Sequence, residues 1–176
     1  RKIKEAFTSD CEPLFVFNGT GSNVVALQLM TRPYHSIFCA ETAHIYVDEC
    51  GSPVKMTGCQ IRPIITVDGK LTPELMQPYL HGFGDHSQPK ALYISQCTEL
   101  GTIYTPEELK RLTDFAHLNG MYVHMDGARI ANACAALSLS LRELTLDCGV
   151  DVLSFGGTKN GLMMGECVIV FNKDLR

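Results

Sequence analysis

The sequence predicts an α/β protein built on a mainly parallel sheet with helices on both faces. Short, continuously apolar, β-rich runs alternate along the chain with segments of helical period. Strands of that kind are buried on both faces and lack the polar–apolar alternation of a half-solvated sheet. Length and composition agree. With 176 residues, 45% hydrophobic and only 19% charged, the chain suits one globular domain with a sizeable core.

Taken in order, Ile3, Ala6 and Phe7 have helical spacing from the first residues, as if a helix had begun earlier. Leu14-Phe15-Val16-Phe17 is a strand, and Gly19-Thr20-Gly21-Ser22-Asn23 follows it and opens a helix over Val24 to Met30. Ser36-Ile37-Phe38-Cys39 and Ile61-Arg62-Pro63-Ile64 are short strands, and Ala91-Leu92-Tyr93-Ile94-Ser95 is another. Thr105-Pro106-Glu107-Glu108 then starts a helix, with a capping threonine, proline at the first helical position and glutamate three residues after the cap. Asn119-Gly120 closes it. Met121 to Met125 is a strand, Ile130 to Leu137 a helix, Val150 to Phe155 a strand, and Val168 to Asn172 a last strand with no visible element after it. Both ends read as cut from something larger.

Several function classes drop out. The net charge of −4 leaves no basic footprint for nucleic acid. No apolar stretch approaches the roughly 20 residues that span a bilayer, and Arg1-Lys2-Ile3-Lys4-Glu5 lacks the apolar run of a secretory signal. Eight cysteines contain no C-x-x-C pair, and most sit in apolar segments such as Ala133-Cys134-Ala135. Reduced core thiols in the cytoplasm are the expectation.

Five places carry chemistry or imitate it. Asp126 ends the strand of "MYVHMDGARIANACAA", where ligands bind in such sheets. It reads either as a ligand-facing carboxylate or as a cap for the next helix. Lys159 lies in a Gly-rich turn between two buried strands, "DVLSFGGTKNGLMMGECVIVF". It reads either as a partly desolvated amine suited to Schiff-base chemistry or as a solvated loop lysine. Gly19, Thr20 and Gly21 suit a phosphate at a helix N-terminus, or are an ordinary small-residue start. Neither a dinucleotide fingerprint nor a P-loop fits the glycine spacing. His44, in "AETAHIYVDECGSP", is a satisfied histidine or an imidazole lying over a flat ligand. Metal is not expected: His124 with Asp126, and His81 with Asp85 and His86, give no three ligands at a recognised spacing. Together, a phosphate cup, an aspartate, a lysine and a stacking histidine describe one cofactor, pyridoxal 5′-phosphate.

"HMDGARIANA" followed by "DVLSFGGTKNGLMMGE" resembles the L-threonine aldolases, in the β-eliminating lyase group of the aspartate-aminotransferase fold type. "FNGTGSNVVAL", "AHIYVDECGSPV" and "SQCTELGTIYTPEEL" are similar to the family's phosphate-binding, ring-stacking and next active-site segments, in the family's order. The resemblance implies a Schiff base at Lys159, Asp126 on the ring nitrogen, His44 over the ring, and Gly19 and Thr20 on the phosphate. Thr158 takes a place where the family often has a hydroxyl near the phosphate, and Arg129 that of an arginine beside the cofactor and substrate. It implies retro-aldol cleavage of L-threonine, L-allo-threonine and other β-hydroxy amino acids to glycine and an aldehyde, acetaldehyde from threonine. A homo-oligomer, dimer or tetramer, goes with it.

Two departures are visible. Glu99, in Thr98-Glu99-Leu100, stands on the substrate side where some members carry a histidine. Family members are also about twice as long by two-domain arithmetic. Residues 1–176 are therefore expected to be an incomplete large domain, with an N-terminal segment and a small domain outside it. Two other readings stand: another enzyme of the same fold type, an aminotransferase or β-eliminating lyase, or a non-catalytic remnant.

Overall fold

The computed structural model of this chain describes residues 1–7, 10–80 and 84–176. Among them the apolar runs become strands at Glu12–Val16 (β1), His35–Ala40 (β2), Gln60–Ile64 (β3), Gln88–Ser95 (β4), Tyr122–Gly127 (β5), Val152–Gly156 (β6) and Glu166–Val170 (β7). They form one sheet in the order β1-β7-β6-β5-β4-β2-β3. Strands β3, β2, β4, β5 and β6 are parallel, and β7 is antiparallel to both β6 and β1. Since β1 opposes β7, it runs with the parallel set. Its carboxyl end therefore lies at the same edge as theirs.

Helices cover both faces. Gly19–Met30 (α2) follows the first helix, Lys2–Ala6 (α1), and sets Ala26, Leu27 and Met30 against Ile37, Tyr93, Val152 and Val168. On the other face Pro106–Leu118 (α6) and Ile130–Leu137 (α7) pack over Leu92, Val123, Met125 and Leu153. The inward residues of α6 are Leu109, Leu112 and Ala116, spaced for one helical stripe. Its start is the expected capping box, with Thr105 and Glu108 bonding each other's backbone N–H, and Gly120 follows in the left-handed region at φ 70°. Each large apolar side chain fully buried in these layers contributes about 1.5–3 kcal/mol.

Boundaries moved where pairing overrode local pattern. At the C-terminal end, Phe171 and Asn172 donate their backbone N–H groups to the Asp151 carbonyl, so they leave the ladder and β7 ends at Val170. A single 3-10 turn, Lys173–Leu175, follows. Phe17 lies beyond β1, 71% exposed, because Val16 makes the last pair with Glu166. Three short helices were not foreseen: His44–Val47 (α3), Ser52–Thr57 (α4) and Pro73–Met76 (α5). Four to six residues are too few to display a helical period. Among the described residues no disulfide links the eight cysteines; Cys11, Cys39, Cys59, Cys148 and Cys167 are buried, but Cys134 is only half-buried and Cys50 is exposed.

Candidate active site

The carboxyl ends of the parallel strands surround a cavity of about 260 Å³. Ser95, Asp126 and Ser154 are neighbours in register across β4, β5 and β6, and all three line it. Asn18, Gly19, Thr20 and the first turn of α2 close one side, with His44, Glu99 and Lys159 around the opening.

Asp126 is the anion at the centre. It does not cap α7, whose N-cap residue is Arg129. Instead Oδ2 accepts hydrogen bonds from the Tyr93 hydroxyl at 2.7 Å and Asn23 Nδ2 at 3.1 Å, and Oδ1 accepts from the Ala128 amide at 2.9 Å. Burial pushes its pKa up, but these three donors outweigh burial and hold the carboxyl below its ordinary value. An ionised carboxylate has about four acceptor sites, so one remains for a ligand donor.

Lys159 departs from the desolvated amine of the sequence reading. It rides on a 3-10 turn, Thr158–Asn160, that lifts it off the end of β6, and its side chain is exposed at the cavity rim. The turn is fixed at its base: Glu166 accepts from the amides of Gly157 (2.8 Å) and Thr158 (3.4 Å), and Asn160 Nδ2 donates to the Gly156 carbonyl at 2.7 Å. Lys159 and Arg129 both line the cavity, and neither side chain makes a hydrogen bond or ion pair among the described residues; the Arg129 carbonyl accepts from the Asn132 amide and Cys97 Sγ.

His44 is the first residue of α3 and faces the cavity. Its Nδ1 lies 2.8 Å from Glu49 Oε1, and that hydrogen bond raises its pKa against the opposing effect of burial. Asp126 reinforces the rise electrostatically and Lys159 opposes it, so both lie within electrostatic reach of the imidazole. Glu99 is held from two sides. Its Oε1 accepts from Ser95 Oγ at 2.7 Å and from the His44 amide at 2.9 Å. In the expected phosphate cup, Gly19 and Thr20 reach the cavity, but the Gly21 amide is already bonded to Asn18 Oδ1 at 2.7 Å. Gly21 therefore serves the helix cap. Thr158 lines the rim and accepts a hydrogen bond from Gly165.

The approach of β5 to β6 depends on glycine. A Cβ added at Gly156 would stand 2.6 Å from Ala128 Cα and 2.8 Å from its carbonyl oxygen. Gly156→Ala must push Ala128, and with it the amide on Asp126, away. It is expected to destabilise by about 1–3 kcal/mol, the usual cost of overpacking. An unchanged urea midpoint would refute the close approach.

A family model for the beta-eliminating lyases matches residues 2–176. The chain belongs to that family. It is 44% identical to the low-specificity L-threonine aldolase of Pseudomonas aeruginosa over 98% of this chain and 51% of that protein. The corresponding enzyme of Saccharomyces cerevisiae is 36% identical over 74% of this chain and 35% of its own length. The structure of Leishmania major threonine aldolase superposes with a TM-score of 0.92 at 32% identity, covering 99% of this chain and 52% of that one. The chain thus spans about half the length of the relatives it matches, and its fold is that of the α/β enzymes of the aspartate-aminotransferase type.

In this member of the beta-eliminating lyase family, Gly19, Thr20, His44, Glu99, Asp126, Arg129, Thr158 and Lys159 meet in one cavity. Sequence reasoning missed what holds them: Asn23, Glu49, Tyr93 and Glu166. Asn23 lay within the singled-out glycine segment, and Glu49 five residues after His44. Only the tertiary contacts show that both are buried, at 1% and 3% exposure. The metal reading does not apply to His81, which lies outside the described residues. Among the described residues no group of three or more His, Cys, Asp or Glu could hold a metal ion.

Proposed function

We propose that this chain is the pyridoxal 5′-phosphate-binding large domain of a threonine aldolase that cleaves L-threonine, L-allo-threonine and related β-hydroxy amino acids to glycine and an aldehyde. The observation that carries the reading is an ionised, half-buried Asp126 facing the same cavity as the uncommitted amine of Lys159. The donor set fits the cofactor. A pyridine nitrogen needs an anion that stays charged, and Asp126 keeps one acceptor site open toward the cavity. Asn23 also lines the cavity, and its buried Oδ1 has no hydrogen-bond partner among the described residues.

Bound there, the cofactor would supply an electron sink for the pair released when the Cα–Cβ bond breaks. Lys159 would be the amine that holds its aldehyde carbon, Asp126 would keep the proton on the ring nitrogen, and His44 would cover the ring face. Gly19, Thr20 and Thr158 stand where a phosphate would sit. On the substrate side, Arg129 offers a cation to a carboxylate. Glu99 keeps Oε1 bonded to Ser95 and His44, leaving Oε2 to take the β-hydroxyl proton. The lack of disulfides among the described residues supports a cytoplasmic location. A homodimer or homotetramer belongs to the same reading. Among the described residues no helix is long and apolar enough to cross a membrane.

The test is to incubate the protein with pyridoxal phosphate, reduce with borohydride, map the label and assay threonine turnover. Label confined to Lys159, with glycine and acetaldehyde formed in equal amounts, is expected. Keto acid with free ammonia would favour a β-eliminating lyase of the same fold, and keto acid without free ammonia an aminotransferase. Label absent or scattered over surface lysines in a folded, full-length protein would favour the catalytically silent remnant.

A further inference from the structure

Glu49 stands out among the buried groups for which the proposed chemistry has no use. It follows α3, its side chain is fully out of solvent, and it is a carboxylate. Both of its protein hydrogen bonds fall on one oxygen: Oε1 takes Asn23 Nδ2 at 2.7 Å and His44 Nδ1 at 2.8 Å. The other oxygen, Oε2, is buried without a partner among the described residues. A buried carboxylate left half unmet is costly, and such a group persists where an opposite charge or a fixed geometry depends on it.

We infer that Glu49 is a positioning residue that fixes the His44 imidazole in one orientation and, through Asn23, ties it to Asp126. The inference rests on the proposed placement of His44 over the cofactor ring. Four distances carry it. The His44 amide is held by Glu99 Oε1 at 2.9 Å and its ring Nδ1 by Glu49 Oε1 at 2.8 Å. Backbone and ring are thereby anchored to different carboxylates, and Nε2 is left without a protein hydrogen bond among the described residues. An amide nitrogen has two hydrogens. That of Asn23 lies 2.7 Å from Glu49 and 3.1 Å from Asp126, so it serves the anion under the imidazole and the anion for the ring nitrogen together. One neutral side chain thus sets the spacing of two carboxylates that would otherwise repel.

The charged groups facing His44 are Glu49, Asp126 and Lys159 on its ring, and Glu99 on its backbone. The Glu49 hydrogen bond is the main contribution raising its pKa, and burial opposes it. Removing the Glu49 charge while keeping its shape must therefore move the His44 titration to lower pH. A role confined to packing would leave the midpoint in place.

The test uses the full-length protein with ¹⁵N-labelled histidine, without cofactor, followed by NMR against pH. In the wild type the His44 Nδ1 proton is expected to be protected from solvent exchange. In Glu49→Gln the midpoint is expected to shift down, and Glu49→Asp is expected to restore part of the shift. An unmoved midpoint in a folded Glu49→Gln protein overturns the inference. Should that variant fail to fold, the wild-type spectrum decides, because an Nδ1 proton exchanging at the solvent rate overturns it equally. Borohydride labelling of wild-type Lys159 separates the two proposals. Label present with an unmoved His44 midpoint removes only the role of Glu49. Label absent with a shifted midpoint removes the cofactor reading and leaves the Glu49–His44 contact standing.

Discussion

Replacing Lys159 by alanine is expected to abolish the borohydride-trapped label and to lower threonine cleavage by roughly 10³-fold or more, the scale of losing a covalent nucleophile. Among the described residues no other lysine lines the cavity. Arg129, the neighbouring cation, cannot stand in, because a guanidinium does not give up its proton to become a nucleophile. Lys159 is exposed and makes no hydrogen bond or ion pair among the described residues, so the urea midpoint should stay near wild type. Mass spectrometry of the reduced protein and a coupled acetaldehyde assay read the two effects separately. A variant that still takes label in the cavity would sink the assignment of the amine.

Asp126→Asn should lower turnover by about 10²–10³-fold, the range for removing one preorganised electrostatic partner. It should also cost stability. Asparagine can still accept from the Ala128 amide, but its NH₂ would face the Tyr93 hydroxyl and the Asn23 NH₂, which now donate to Oδ2. Unmet donors of that kind cost about 1–3 kcal/mol. The pH dependence has a definite sign. The folded-state pKa of Asp126 is depressed, so its ionisation stabilises the fold above the unfolded value of about 3.9. That contribution is lost as pH falls through the depressed folded value. Urea midpoints from neutral pH into the acid range should therefore fall less steeply for the variant than for the wild type. A steeper acid fall in the variant would contradict an ionised Asp126.

The parallel sheet was legible because strands buried on both faces must be apolar throughout, and Ala91–Ser95 and Val152–Phe155 display that pattern. The start of α6 was legible because a capping box is local chemistry. Asp126 could be read as ligand-facing from the rule that sites form at strand carboxyl ends, and Lys159 was singled out by its Gly-rich turn between two apolar strands. Two things were out of reach for different reasons. The donors that keep Asp126 ionised come from 103 residues away in Asn23 and 33 residues away in Tyr93. No local pattern announces which buried polar groups will meet. Lys159 misled through its surroundings: two buried strands suggested desolvation, whereas the turn between them raises the side chain to the rim. Gly21 likewise suited an anion by residue type, but Asn18 reaches its amide first.

The cavity is mechanically divided. Its fixed negative charge is set in a strand laddered on both sides, the part of such a sheet that opens last. Its amine hangs on a four-carbon tether from a single turn at the edge. A ligand gripped by both would keep its bed when the tether lets go. On the proposed function, the covalent hold would be released to an incoming amine and taken up again at each turnover, while the surface beneath the ligand stays still.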